Sequence, residues 1–125
     1  NYAEALNEVE GPTGRVYELV NTIRTRANCI ELPKGLNQNE MREKIRHERR
    51  IELVFENHRF WDVRRWMIAE NVDNKTVHRV MVDAEGNITY PVFQNRVFNP
   101  DKHYLFPIPQ SEIDKNRALE QNPGW

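Results

Sequence analysis

Residues 48–66 read ERRIELVFENHRFWDVRRW, and the mixture of carboxylates, arginines and aromatic rings in this stretch decides how the rest of the chain is read. On a wheel of about 100° per residue with Met41 at zero, Ile45, Ile51 and Phe55 fall within roughly 80° of it. Glu48, Glu52 and Arg59 fall in the same arc. A carboxylate on the apolar face of a helix is costly unless a cation and further hydrogen bonds meet it. Arg49, Arg59, Arg64 and Arg65 lie close enough in sequence to do so. The stretch therefore predicts a buried structural ionic cluster of Glu48, Glu52, Glu56, Arg59, Asp62 and Arg64, with Glu52 buried against an arginine.

Upstream, residues 1–10 look like the end of a helix stopped by Gly11-Pro12, with Thr13 placed to cap the next one. In that next helix Val16, Leu19, Val20, Ile23 and Ala27 share an arc of about 100°, a core-facing stripe. Leu32-Pro33-Lys34-Gly35 breaks it. Asn37-Gln38-Asn39-Glu40 then offers a capping-box start, and Leu36 is placed to staple onto Met41. The third helix is expected over about residues 38–56. Asn57 tolerates a left-handed bend, after which a short helix over 59–69 would carry the aromatic rings.

Beyond Asn71 the texture changes. Residues 76–82 and 88–93 alternate as strands around the turn cluster Asp83-Ala84-Glu85-Gly86-Asn87, and Pro91 marks an edge. Residues 94–103 read as irregular. Tyr104 to Pro109 is an extended apolar segment that two prolines keep out of helix. Residues 111–117 have room for a last helical turn or two. The expectation is a mainly α chain with a small β-hairpin: 1–70 helical, 71–110 hairpin and extended loops, 111–125 a short helix and tail.

The chain has 125 residues, enough for one domain. Its opening Asn-Tyr-Ala-Glu-Ala-Leu reads as the last turns of a helix, and we expect a fragment of a longer protein. A net charge of −1 and a pI near 6.5 give no overall pull toward nucleic acid. A mean hydropathy of −0.83 is low for a self-contained globule, while twelve aromatic residues argue against disorder. The single cysteine, Cys29, rules out an internal disulfide and is expected to be a small buried residue. No apolar run approaches the roughly 20 residues of a membrane-spanning helix.

Enzyme chemistry finds no support. His47-Glu48 opens like a metalloprotease helix, but Ile51 stands where the second histidine is needed. The other histidines are scattered, so no metal site is expected. Glu48, Glu52 and Glu56 line one side at intervals of four, yet with so many guanidiniums nearby none would be poised as an acid. Residues 40–66 hold eight Lys or Arg against six Asp or Glu, too balanced for a nucleic-acid footprint. No glycine loop cradles a phosphate and no nucleophile elbow is present. No catalytic residue and no cofactor are expected. The aromatic and amide-rich residues of the second half suit a neutral polyhydroxylated ligand, stacked on rings and bonded at its edges. Tyr90, Phe93, Asn95 and Phe98 are the candidates.

Three segments in order, Glu48 to Trp66, Tyr104-Leu105-Phe106-Pro107-Ile108-Pro109-Gln110-Ser111-Glu112-Ile113-Asp114 and Gln121-Asn122-Pro123-Gly124-Trp125, resemble the signatures of the SusD/RagB family. Tyr2 to Glu8 and Asn21 to Ala27 resemble its preceding helices. Asn57 stands where the family usually has glycine, and Trp125 where an aromatic, often tyrosine, closes the chain. The resemblance implies the C-terminal part of a SusD-like fold built on tetratricopeptide-like helical pairs. It further implies an outer-membrane lipoprotein, anchored by an N-terminal lipid outside these residues and facing the extracellular side. Such a protein binds an oligosaccharide or other nutrient and delivers it to a SusC-like TonB-dependent transporter. In that light the motif residues act as scaffold. The alternative reading is a helical-repeat scaffold acting only in protein–protein contact.

Overall fold

The computed structural model describes residues 1–125, about half of them helical, as the residue pattern predicts. Two compact units divide the chain, Asn1–Arg59 and Phe60–Trp125.

The first unit is three helices, α1 (Tyr2–Glu10), α2 (Gly14–Arg26) and α3 (Gln38–Glu52), and α1 packs on both others. The Gly11 break and the Asn37 start behave as their residues dictate. Gly11 takes a left-handed φ of 78° and returns its N–H to the Asn7 carbonyl at 3.0 Å. The Asn37 side chain accepts from the Glu40 amide while the Glu40 carboxylate accepts from the Asn37 amide, a complete capping box. Thr13 stands at the N-cap of α2, but its hydroxyl makes no cap bond.

The core of this unit is Val16, Val20, Leu32, Met41 and Ile45, with Ala3, Leu6, Tyr17 and Leu36 packed against it. Leu36 thus covers the start of α3 as its position predicts. Polar groups register the helices. The Asn7 amide donates to the Gln38 carbonyl at 3.1 Å, and Gln38 Nε2 donates back to the Asn7 carbonyl at 2.7 Å. Arg42 grips Glu8 with both arms, at 2.6 and 2.5 Å. That hydrogen-bonded guanidinium holds the Glu8 carboxyl below its usual range.

The predicted ionic cluster takes a different form. Glu48 is the buried carboxylate of α3, only 8% exposed, and its Oε2 accepts from Arg24 Nη1 at 2.6 Å. Glu52 pairs with Arg26, but its side chain is 33% exposed and Arg26 is more so. The partners found for both carboxylates come from α2, across the helix pair, and not from the arginines of their own stretch. The reason is geometric: α2 lies beside the apolar stripe of α3. Glu52, one turn beyond Glu48, sits where that contact opens to solvent.

The third helix also ends early. Leu53 is the C-cap, and Phe55 and Asn57 have φ of 67° and 61°. A right-handed helix admits neither value, so the four-residue ladder of glutamates stops at Glu52. Glu56 lies on the exposed turn, with His58 Nε2 at 3.9 Å. Phe55, placed on the apolar arc by the wheel, is instead fully exposed. Cys29 and Ala27 are exposed as well, because α2 ends at Arg26 and the following turn leaves the core.

The second unit is built from short pieces. The helix α4 (His58–Arg65) enters it, followed by α5 (Ala69–Asp73), and later come α6 (Pro100–His103) and α7 (Gln110–Lys115). Between them lie β1 (Thr76–His78), β2 (Met81–Val82), β3 (Ile88–Thr89) and β4 (Val92–Asn95). The strands make two antiparallel ladders, β2 with β3 beside the turn and β1 with β4 farther out. Pro91, which has no N–H to donate, falls between the ladders. The register skips one residue at Phe93, since Val77 faces Gln94 and His78 faces Val92. The region 71–110 is therefore less extended than its residues suggest, since Asn99 caps α6 through its side chain and Pro100 opens it.

A small core of Val63, Ala69 and Phe98, with Ile68, Val72 and Tyr104 packed on it, holds this unit. Side-chain amides fasten its loops. Gln121 donates to the Ile108 carbonyl at 2.9 Å and accepts from the Ile108 amide at 2.8 Å. Asn74 brackets Phe98 in the same two-way fashion. At the end of the chain, Trp125 Nε1 donates to the carbonyls of Lys102 and Leu105 at 3.0 and 3.1 Å. Gly124 allows this approach: its φ is 81°, and a Cβ there would lie 3.0 Å from that of Lys102.

Two stability outcomes follow from these contacts. Glu48→Gln leaves Arg24 half-enclosed without its anion and should cost about 1.5–3 kcal/mol, whereas Glu52→Gln, at an open pair, should cost under about 1 kcal/mol. Urea unfolding of both variants measures this, and equal losses would contradict the burial argument. Gly124→Ala should cost about 1–3 kcal/mol through its left-handed backbone and the contact with Lys102, read as a lowered Tm. An unchanged Tm would mean that the tail is not fastened.

Candidate ligand-binding surface

The hairpin presents two of the predicted ligand contacts. Tyr90 and Phe93 are 63% and 65% exposed. Their accessibility has a local cause: Tyr90 precedes Pro91 in the gap between the ladders, and Phe93 is the residue skipped by the register. The backbone around them is held by His78, whose Nδ1 lies 2.8 Å from the Tyr90 carbonyl. Asn95 is exposed, but its Oδ1 accepts from the Thr76 hydroxyl at 2.8 Å and so ties β4 to β1.

Phe98 departs from expectation. It is only 6% exposed, packed edge-on to Tyr104 at 4.8 Å and to His103 at 5.5 Å. Its ring is core, because Asn74 pins its backbone on both sides and turns the side chain toward Val63 and Ala69. A ring so enclosed has no face to offer a sugar. Of the four candidates the structure thus leaves Tyr90 and Phe93 with open faces.

The turn between β2 and β3 is made rigid by Asp83. Its Oδ1 accepts from the amides of Glu85 and Asn87 at 3.0 and 2.8 Å, and its Oδ2 from the Asn87 side chain at 2.8 Å. These donors, the Asn87 side chain first, hold the Asp83 carboxyl below its ordinary range. Gly86 supplies the positive φ, 85°, that the turn requires.

Residues 48–66 divide between different tasks. Asp62 is buried and accepts from Arg65 Nε at 2.9 Å. Arg64 lies with its guanidinium 3.5 Å above the Phe60 ring, and the Asp73 carboxylate is 4.0 Å from its Nη1. Phe60 and Trp61 meet edge to face at 5.1 Å, and Phe106 lies about 6 Å from each. All three rings keep exposed area. Sequence periodicity placed Phe60 and Trp61 on one short helix but carried no signal that Phe106 joins them. A cleft of about 170 Å³ in the first unit, lined by residues such as Val20, Ile45 and Glu48, is below the range of roughly 300–1,000 Å³ usual for small-molecule sites. No three His, Cys, Asp or Glu side chains gather as a metal site, and no helix is long and apolar enough to cross a membrane.

Asp83 generates a pH prediction. Its folded pKa is depressed, so the order it confers on the turn is present above the ordinary aspartate value of about 4 and is lost as pH falls through the lower folded value. The amide resonances of Glu85 and Asn87 should titrate together below that ordinary value, and Asp83→Asn should abolish the transition. A midpoint at the ordinary value would count against the turn as described.

Comparison with known proteins supplies what geometry alone leaves open. Residues 1–125 match the SusD family. SusD-like protein P2 of Formosa agariphila is 30% identical over 131 residues, covering 98% of this chain and 23% of that protein. SusD-like protein P25 of the same organism is 33% identical over 120 residues, covering 94% and 20%. Among solved structures, a SusD-like protein from Bacteroides fragilis superposes with a TM-score of 0.87 at 36% identity, covering 98% of this chain and 23% of that one. A SusD homolog from Bacteroides thetaiotaomicron gives 0.71 at 30% identity, with 99% and 25% covered. The chain spans about a quarter or less of the length of these relatives. With the whole of its length matched and its fold reproduced at this level of identity, the chain belongs to the SusD family.

Proposed function

We propose that the protein containing this chain binds glycans or comparable nutrients at the outer surface of the cell and delivers them to a SusC-like TonB-dependent transporter. The match of all 125 residues to the SusD family carries this reading. Members of that family are binding proteins, not enzymes, and SusD-like proteins are surface lipoproteins associated with the outer membrane. On this reading the present protein is held at the extracellular-facing side by a lipid on its N-terminus. Chemistry agrees with binding over turnover: the buried carboxylates of the signature, Glu48 and Asp62, are each engaged by an arginine, which leaves neither available as a general acid.

Within the chain, Tyr90 and Phe93 are the groups best placed to touch a sugar, since stacking of C–H faces needs an open ring. A second reading, a scaffold that contacts only protein, is favoured by the exposed aliphatic residues of the same hairpin, Val80, Val82 and Ile88. Isothermal titration of the full-length protein with a panel of polysaccharides, beside co-purification with its transporter, separates the two. The nutrient-binding reading expects saturable glycan binding that weakens in a Tyr90→Ala, Phe93→Ala double variant if the hairpin contributes. Binding to the transporter with no glycan affinity at all would favour the scaffold.

A further inference from the structure

A second cleft, of about 480 Å³, lies wholly within the unit Phe60–Trp125 and falls in the size range of small-molecule sites. Its apolar lining includes Met67, Leu105 and Tyr104, and it is edged by Arg64, Arg65 and Lys102 against the single carboxylate of Asp101. We propose that this cleft binds a carboxylate-bearing sugar residue, its C–H face against the apolar lining and its carboxylate toward Arg64 and Lys102. The proposal rests on the glycan-binding reading and names the substrate class for one part of it.

The three cations differ in how far they are already satisfied. Arg65 holds the buried Asp62 and is a structural partner first. Arg64 is mostly buried and donates through Nη1 to the Phe60 carbonyl at 3.1 Å. Its guanidinium lies over the Phe60 ring, with the Phe98 ring 5.5 Å away. Asp73, at 4.0 Å, neutralises it only loosely. A guanidinium fixed in plane by stacking is pre-organised for a planar carboxylate and loses little freedom on binding one. Lys102 meets a ring and not an anion: its Nζ lies 4.1 Å from the centre of Trp125.

The closing tail gives Lys102 its position. Trp125 Nε1 is bonded to the Lys102 carbonyl, and Gly124 closes against the Lys102 side chain with no room for a Cβ. Pro123 lines the cleft itself. The last three residues thus act as a strap behind a cationic wall. Asp101 opposes an anion from the same wall, so the expected affinity is modest and salt-dependent, and a neutral sugar lacks the ionic part of the attraction to Arg64 and Lys102.

Full-length protein would be titrated with oligogalacturonate, alginate oligosaccharides and hyaluronan oligosaccharides, each beside its carboxyl-reduced form and beside neutral glycans. At least one acidic form should bind more tightly than its reduced form. Lys102→Gln, a change at a partly exposed site that should leave the fold intact, should raise its Kd roughly tenfold. Arg64→Lys, which keeps the charge and loses the planar fork, should weaken it also, with thermal melts confirming that both variants fold. Equal binding of acidic and reduced forms, or acidic binding indifferent to Lys102→Gln, would overturn the assignment. Neutral glycans bound normally with no acidic form bound would overturn the cleft and leave the glycan-binding reading standing. Binding of no glycan of either kind would overturn both.

Discussion

The burial of Glu48 is the constraint around which the first unit is arranged. An ionised carboxylate on the packed face of α3 is tolerated only if a cation reaches it within the same contact, and Arg24 does so from α2 at 2.6 Å. That requirement sets the position of α2 along α3 more sharply than apolar packing alone, since Val16, Val20, Met41 and Ile45 would accept small slides. Arg24 is itself anchored, donating through Nε to the Ile30 carbonyl just past its own helix. The loop between the helices is drawn in by two further bonds, from the Leu32 amide to Asn21 and from the Leu36 amide to the Tyr17 hydroxyl. One buried charge thus propagates into helix register and loop path.

The second unit works by another principle. Its helices and strands are too short for their backbone ladders to supply much cohesion, and its buried apolar cluster is small. Carboxamide side chains compensate by closing loops over long sequence separations, Asn74 on Phe98, Gln121 on Ile108 and Asn122 on Phe106. An amide can both donate and accept, so one side chain clamps a backbone unit from both sides. Asn95, the amide expected to meet a sugar, is likewise engaged within the chain, accepting from the Thr76 hydroxyl. What the clamps leave uncovered are the open rings of Tyr90 and Phe93 on the hairpin and the cleft beside Lys102.

Legibility in the sequence followed range. The Gly11 break, the Asn37–Glu40 box, the Leu36 staple, the Asn57 bend and the Asp83–Asn87 turn were all readable because each depends on residues within a few positions of one another. α3 is shorter than its apolar spacing predicts, because the periodicity continues through Phe55 while the helical backbone ends at Glu52. Phe98 is buried and Cys29 exposed, each the reverse of expectation, since a lone residue in an irregular segment has no periodicity to orient it.

By itself the sequence determined the helical class, the hairpin, the three signature segments that mark the family, and the presence of carboxylates that must find cations. Tertiary structure decided which cations those are. Arg24 and Glu48 are 24 residues apart, and Arg26 and Glu52 are 26 apart, separations that no helix or strand period encodes. The cleft beside Lys102 belongs to the same class of fact. Pro123 reaches its lining where Trp125 folds back to the Lys102 carbonyl, 23 residues away, a separation that no local period encodes.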